Sequence, residues 1–216
     1  MQSTTGAPTF DSTFRAALHD LLVWRRDVRH FRPDPLPDGT VRHLIELACL
    51  APSVGLSQPW RFVTVDDPAR RAAVRANFEH CNADALAAQT ADRAAQYARL
   101  KLAGLTDAPA HVAVFAERAT AQGHGLGRRT MPEMIEYSAV LAVHTLWLAA
   151  RADDIGVGWV SILDPARLSA TLDVPAEWSF IAYLCIGYPE SADDVPALER
   201  AGWEHRRAST EIIVSR

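Results

Sequence analysis

Apolar residues recur at helical spacing near the start of the chain. Phe14, Leu18, Leu21, Leu22 and Trp24 predict a first helix from about Asp11. Pro33, Pro35 and Pro37 make an extended connector. Asp38 or Thr40 then caps a second helix running to Leu50, with Leu44, Ile45, Leu47 and Ala48 turned inward. A strand is predicted over 61–65, and Asp66-Asp67-Pro68 starts a third helix. Residues 82–105 predict a long alanine-rich helix with a thin apolar stripe of Leu86, Tyr97, Leu100 and Leu102, weakly held and a candidate lid. Buried strands are predicted at 111–116, 157–163 and 179–186, the last closed by Gly187-Tyr188-Pro189, with a short helix from Asp164-Pro165 to Leu172.

The pattern centres on residues 130–163. Thr130, Pro132 and Glu133 spell a capping box, and residues 137–150 carry no charge and are apolar all the way round. That predicts a helix enclosed on every face, too short for a bilayer, which needs about 20 apolar residues. In a chain of 216 residues, such enclosure implies cover from a second subunit. Irregular alternation of helices and strands predicts an α+β fold with a mixed, mainly antiparallel sheet flanked by helices. The expected organisation is a loose leader (1–10), one domain (11–207) and a C-terminal tail (208–216).

Composition narrows the function classes. With 49% hydrophobic and 22% charged residues and a net charge of −4, nothing invites nucleic acid. Cys49, Cys81 and Cys185 are too scattered for a disulfide framework or a zinc site. The first residues lack the pattern of a secretory signal, so a cytoplasmic setting is expected.

Candidate chemistry gathers in a few places. Arg25-Arg26-Asp27-Val28-Arg29 reads either as cations at a helix C-terminus or as a phosphate clamp with an embedded carboxylate. The 51–60 connection is long and rich in turn residues, and its Ser53, Gly55 and Gln58 can line a flat polar ligand or merely join two elements. His111 reads as structural. Gly123-His124-Gly125-Leu126-Gly127-Arg128 fails the dinucleotide fingerprint because Arg128 takes the third glycine position. Ser161 alone reads as a buried strand serine.

Taken together these segments resemble the flavin-dependent nitroreductase superfamily, over about residues 18–207. A narrower resemblance rests on five stretches in order: Arg25 to Arg29, Ala51-Pro52-Ser53-Val54-Gly55, Gly125 to Arg128 with Thr130 to Glu133, Gly156 to Pro165, and Leu184 to Glu190. They are similar to the 5,6-dimethylbenzimidazole synthase family, which makes the lower ligand of vitamin B12. Two departures from ordinary nitroreductases agree with it: Asp27 where serine is usual, and Leu56 where a flavin-binding asparagine is usual.

The resemblance implies a homodimer in which reduced FMN is the substrate and O2 the co-substrate. The flavin is fragmented to 5,6-dimethylbenzimidazole and erythrose 4-phosphate, and a separate flavin reductase supplies it. It further implies that Arg25 and Arg29 grip the phosphate, with Arg206 or Arg207 helping. Pro52, Ser53 and Gly55 of the partner, with Arg26, Val28 and Gly187, line the flavin, and Leu100 closes over it. Asp27 then serves as the base near the ribityl carbon, or as an ion-paired structural group. Ser161 steadies the flavin edge. Beside this stand an FMN-cofactor nitroreductase using NAD(P)H and a non-catalytic flavin-binding module.

Overall fold

The computed structural model describes residues 6–90 and 103–216. Leu100 and half of the expected 82–105 helix (91–102) lie outside the described residues. In chain order the elements are α1 (Ser12–Trp24), α2 (Thr40–Ala48), a 3-10 turn (Val54–Leu56), β1 (Trp60–Thr64) and α3 (Pro68–Ala87). They continue with α4 (Gly104–Asp107), β2 (Ala110–Glu117), α5 (Met134–Ala152) and β3 (Gly156–Val160). The last are α6 (Pro165–Leu172), β4 (Trp178–Gly187), α7 (Ala197–Arg200) and α8 (Ser209–Ile212).

The sheet has the order β1-β2-β4-β3, and its named strands pair antiparallel throughout. Among the described residues the parallel part of the expected mixed, mainly antiparallel sheet is a bridge between Asp27 and Val157. Alternation along the central strands sorts their side chains to two faces. Val112, Val114, Leu184 and Ile186 meet Leu44, Ala139, Val143 and Leu146 of α2 and α5. Ala113, Phe115, Tyr183 and Cys185 meet Val74, Leu168 and Leu172 of α3 and α6. Helices cover both faces of these strands, which is why they read as continuous apolar runs.

Two helix starts follow the sequence closely. Asp67 accepts the Ala69 N–H at 2.8 Å ahead of Pro68. Asp164 accepts the Ala166 and Arg167 N–H groups at 2.8 and 3.1 Å ahead of Pro165. Each pairs a carboxylate cap with a proline whose φ suits the first turn.

Other expectations need correcting. Thr130 and Glu133 form no capping box: α5 begins at Met134, and the carbonyls of Met131 and Pro132 take the Met134 and Ile135 N–H groups through the preceding turn. Neither Asp38 nor Thr40 caps α2; Gly39, at φ 83°, precedes it, and the helix stops at Ala48. Residues 82–87 belong to α3 instead of opening a separate helix. Strand β3 ends at Val160, which leaves Ser161 one residue beyond it and exposed.

Within one chain α5 is covered on part of its surface, and the sequence reading assigns the remaining cover to a second subunit. Ile135, Ser138, Ala142, Leu146 and Ala150 are buried, whereas Tyr137 (51% exposed), Val140, Leu141 and His144 form an open strip at helical spacing. The apolar stripe of α1 is open as well, with Phe14, Leu18 and Leu22 all exposed.

Candidate active site

Segment 25–29 leaves α1 in extended form, Arg25 standing at ψ 114°. It lies against the free edge of β3, where the Val28 N–H donates to the Val157 carbonyl at 3.1 Å. Two glycines make that approach possible. A Cβ on Gly158 would stand 2.2 Å from the Val28 carbonyl oxygen, and one on Gly156 would stand 2.8 Å from the Val28 side chain. On the other side, Trp147 of α5 donates its indole N–H to the Arg26 carbonyl at 3.1 Å, and its ring carries the Arg25 guanidinium 4.8 Å from its centroid.

This seating aims the side chains. Asp27 Oδ1 accepts the Trp159 backbone N–H at 2.9 Å, and Oδ2 lies 3.7 Å from Arg29 Nε. Burial pushes the Asp27 carboxyl above the usual carboxylate range, and the Trp159 N–H, Arg29 and Arg25 pull it back only in part. Even so, 37% of the side chain stays open to solvent, so one edge of the carboxyl is free for chemistry.

The guanidinium groups converge. Burial and then Arg206 lower the Arg25 value, and Arg26 is lowered by burial, Arg206 and Arg25, with Asp194 and Asp193 opposing. The buried Arg26 Nε has no hydrogen-bond acceptor. Like charges held together around an unused buried donor fit an anion with several oxygens, such as a phosphate monoester. The segment opens on a cavity of about 240 Å³ lined by Arg26, Asp27, Arg29, His30, Asp193 and Arg200.

Ser161 stands two residues beyond Trp159, roughly 7 Å along the strand from the N–H that anchors Asp27. Asp27 and Ser161 are therefore grouped at one end of β3. The Pro52, Ser53 and Gly55 loop is elsewhere. The Val54 N–H donates to Ser138 Oγ at 3.0 Å, near the start of α5, while Trp147 meets Arg26 nine residues later. That is about 13 Å along the helix axis at about 1.5 Å per residue.

In this loop Gly55, Leu56 and Gln58 all have positive φ (57°, 53° and 41°). Ser53 Oγ accepts the Gln58 N–H, and the Gln122 amide donates to the Leu56 carbonyl and to Gln58 Oε1. Gly55 sits against the Gly123 and Leu126 carbonyls, so part of the glycine-rich stretch serves to back this loop.

Gly187 pairs with Gly156, and a Cβ there would come within 2.5 Å of Pro109, so close packing accounts for the glycine. His111 is buried, with Nδ1 2.9 Å from the Tyr183 hydroxyl, and burial draws its value down to about 4. Sequence reasoning missed Trp147, Ser138 and the paired glycines of β3. A glycine repeated at i and i+2 inside a strand was the available signal of a close backbone approach. No described helix is long and apolar enough to cross a membrane.

The chain belongs to the nitroreductase family, whose model matches residues 22–188. Within that family it is 60% identical to the 5,6-dimethylbenzimidazole synthase of Rhodospirillum rubrum, over 93% of this chain and 95% of that protein. It is 51% identical to the enzyme of the same name from Rhodobacter capsulatus, over 90% and 94%. In fold it is similar to the crystal structure of an oxidized iodotyrosine deiodinase bound to FMN and 3-iodo-L-tyrosine. That match has a TM-score of 0.69 at 23% identity and covers 82% of this chain and 91% of that one.

Proposed function

We propose that the chain catalyses oxygen-dependent fragmentation of reduced FMN to 5,6-dimethylbenzimidazole and D-erythrose 4-phosphate, providing the lower ligand of cobalamin. The observation that carries the reading is the unpartnered buried Arg26 Nε in the 25–29 cluster, whose Arg25 and Arg26 also feel the charge of Arg206, beside the partly open carboxyl of Asp27. A phosphate on one side and a proton acceptor on the other suit a substrate with a phosphate at one end and a reactive carbon further along. Reduced FMN, as substrate, supplies both the electrons taken up by dioxygen and the carbon skeleton of the benzimidazole.

Arg25, Arg29 and Arg206 hold the phosphate, with bidentate guanidinium geometry fixing its place. Asp27 takes a proton at the ribityl carbon next to the ring. Its raised value makes it a stronger base than an ordinary carboxylate while the arginines favour its ionised form. Ser161 donates to the edge of the flavin and holds the ring in register with Asp27.

The site is shared between two chains. Within one chain the arginine segment and the 53–58 loop lie at opposite ends of α5, too far apart to contact one ring. A two-fold pairing that crosses α5 with its copy brings one chain's arginines to the other's loop. It also covers Tyr137, Val140 and Leu141 together with Phe14, Leu18 and Leu22 of α1. Pro52, Ser53 and Gly55 of the partner then line the ring. A cytoplasmic location and supply of reduced flavin by a separate reductase complete the proposal.

The deciding experiment is a single turnover of purified protein with chemically reduced FMN and dissolved oxygen, analysed by chromatography. Formation of 5,6-dimethylbenzimidazole and erythrose 4-phosphate at the expense of FMN is the expected result. Recovery of intact oxidised FMN alone would overturn the reading.

A further inference from the structure

Asn77 lies in the middle of α3 and is fully buried. Asparagine is a poor choice inside a helix because its amide competes for backbone bonds. Here the amide reaches 87 positions along the chain instead. Its Nδ2 donates to the Asp164 carbonyl at 3.0 Å, and its Oδ1 accepts the Asp164 N–H at 2.9 Å. One side chain thus holds both main-chain groups of a single residue. One turn later, Cys81 Sγ donates to the same Oδ1 at 3.4 Å, fixing the amide's orientation.

Asp164 is held on its other side too, since its carboxylate caps α6. The three residues between Val160, the end of the β3 ladder, and Asp164 therefore span two fixed points, with Leu163 buried in the core between them. Ser161 is the first of the three. A link this short has little slack, so the position of Asp164 determines where the Ser161 hydroxyl stands.

Resting on the function proposed above, we infer that Asn77 is a positioning residue for Ser161. The two groups assigned to the chemistry are then placed near one end of β3 by two separate supports. Asp27 is registered by the Trp159 N–H, and Ser161 is registered by Asn77 acting through Asp164. A displacement of about 1 Å at a reacting group can cost about 100-fold in rate, so a residue remote from the flavin can govern the outcome.

The test measures 5,6-dimethylbenzimidazole formed per FMN consumed in Asn77→Leu, Ser161→Ala and the double variant, with FMN affinity measured in parallel. Leucine keeps the branched outline of Asn77, though its methyl groups are bulkier than the amide, and it removes both bonds. The expected result is near-native FMN affinity, about tenfold less benzimidazole with the balance as intact FMN, and little further loss when Ser161 is already alanine. A native product ratio in Asn77→Leu overturns the inference, and so does an equal loss in both backgrounds, which marks general destabilisation. Should Asn77→Leu fail to fold, Asn77→Asp, which keeps the acceptor and loses the donor, enters the same cycle. If Ser161→Ala alone keeps full product, the role of Ser161 itself falls; if it is defective while the Asn77 variants are native, only the inference falls.

Discussion

The two ends of α5 carry the two halves of the proposed site, and they are held by different means. At the Trp147 end, segment 25–29 is laid along a sheet edge: a ladder-type bond to Val157, the Trp159 N–H on Asp27, and an indole bond to the Arg26 carbonyl. Its backbone is extended and unstrained. At the Ser138 end, the 53–58 loop has Leu56 and Gln58 in the left-handed region, at about 1–3 kcal/mol each, and is held by the side chains of Ser138, Ser53 and Gln122. The first end takes its geometry from regular structure and is rigid by inheritance. The second depends on a few polar side chains and opens at lower free energy. A phosphate clamp needs fixed charges, whereas a wall that closes on a planar ring tolerates some give.

The sharpest way to break this contrast is Gly158→Val. With the Val28 carbonyl only 2.2 Å from where its Cβ would stand, the arginine segment must leave the edge. FMN affinity, measured by fluorescence titration, is expected to fall by about 100-fold or more, roughly 3 kcal/mol. Retained affinity would mean that the sheet edge does not place the cluster.

Next in size is Asp27→Asn, which can keep the bond from the Trp159 N–H. FMN binding should persist while single-turnover product falls about 100-fold, the usual scale for a general base. The pH dependence has a definite sign. Product formation should rise with pH as the Asp27 carboxyl, whose value is raised, becomes ionised, and this limb should vanish in the variant. Because the folded value is raised, its contribution to stability is present below the usual carboxylate range and lost as pH rises through the folded value. The asparagine protein should therefore melt higher than the native one near neutral pH, as a calorimetric series will show.

The smallest effect belongs to the other end. Ser138→Ala removes the acceptor for the Val54 N–H, at about 1 kcal/mol. Hydrogen exchange should quicken across 53–58 and stay unchanged across 25–29; equal changes at both ends would dissolve the distinction between them.

Much of this was legible residue by residue. The Asp67-Pro68 and Asp164-Pro165 starts could be read because a cap and its proline act within three positions. The charge-free run of α5 announced a core helix, and the cluster at 25–29 was visible as a string of unusual composition. Other readings failed where a competing bond came from nearby backbone, as with Thr130 and Glu133, whose capping box gives way to turn carbonyls. For α5 composition told that every face is apolar, while which residues one chain leaves open, Tyr137, Val140 and Leu141, came only from the fold.

What the sequence determined by itself was local: the periods of helices and strands, the carboxylate caps, and the presence of arginines around one aspartate. Only the tertiary structure decided that this aspartate meets an N–H 132 positions away, that Arg206 joins Arg25 and Arg26, and that Asn77 holds Asp164. The reason is physical. Propensity and capping act over a few residues, whereas desolvation, charge coupling and buried hydrogen bonds depend on distance in space, which only the folded chain sets.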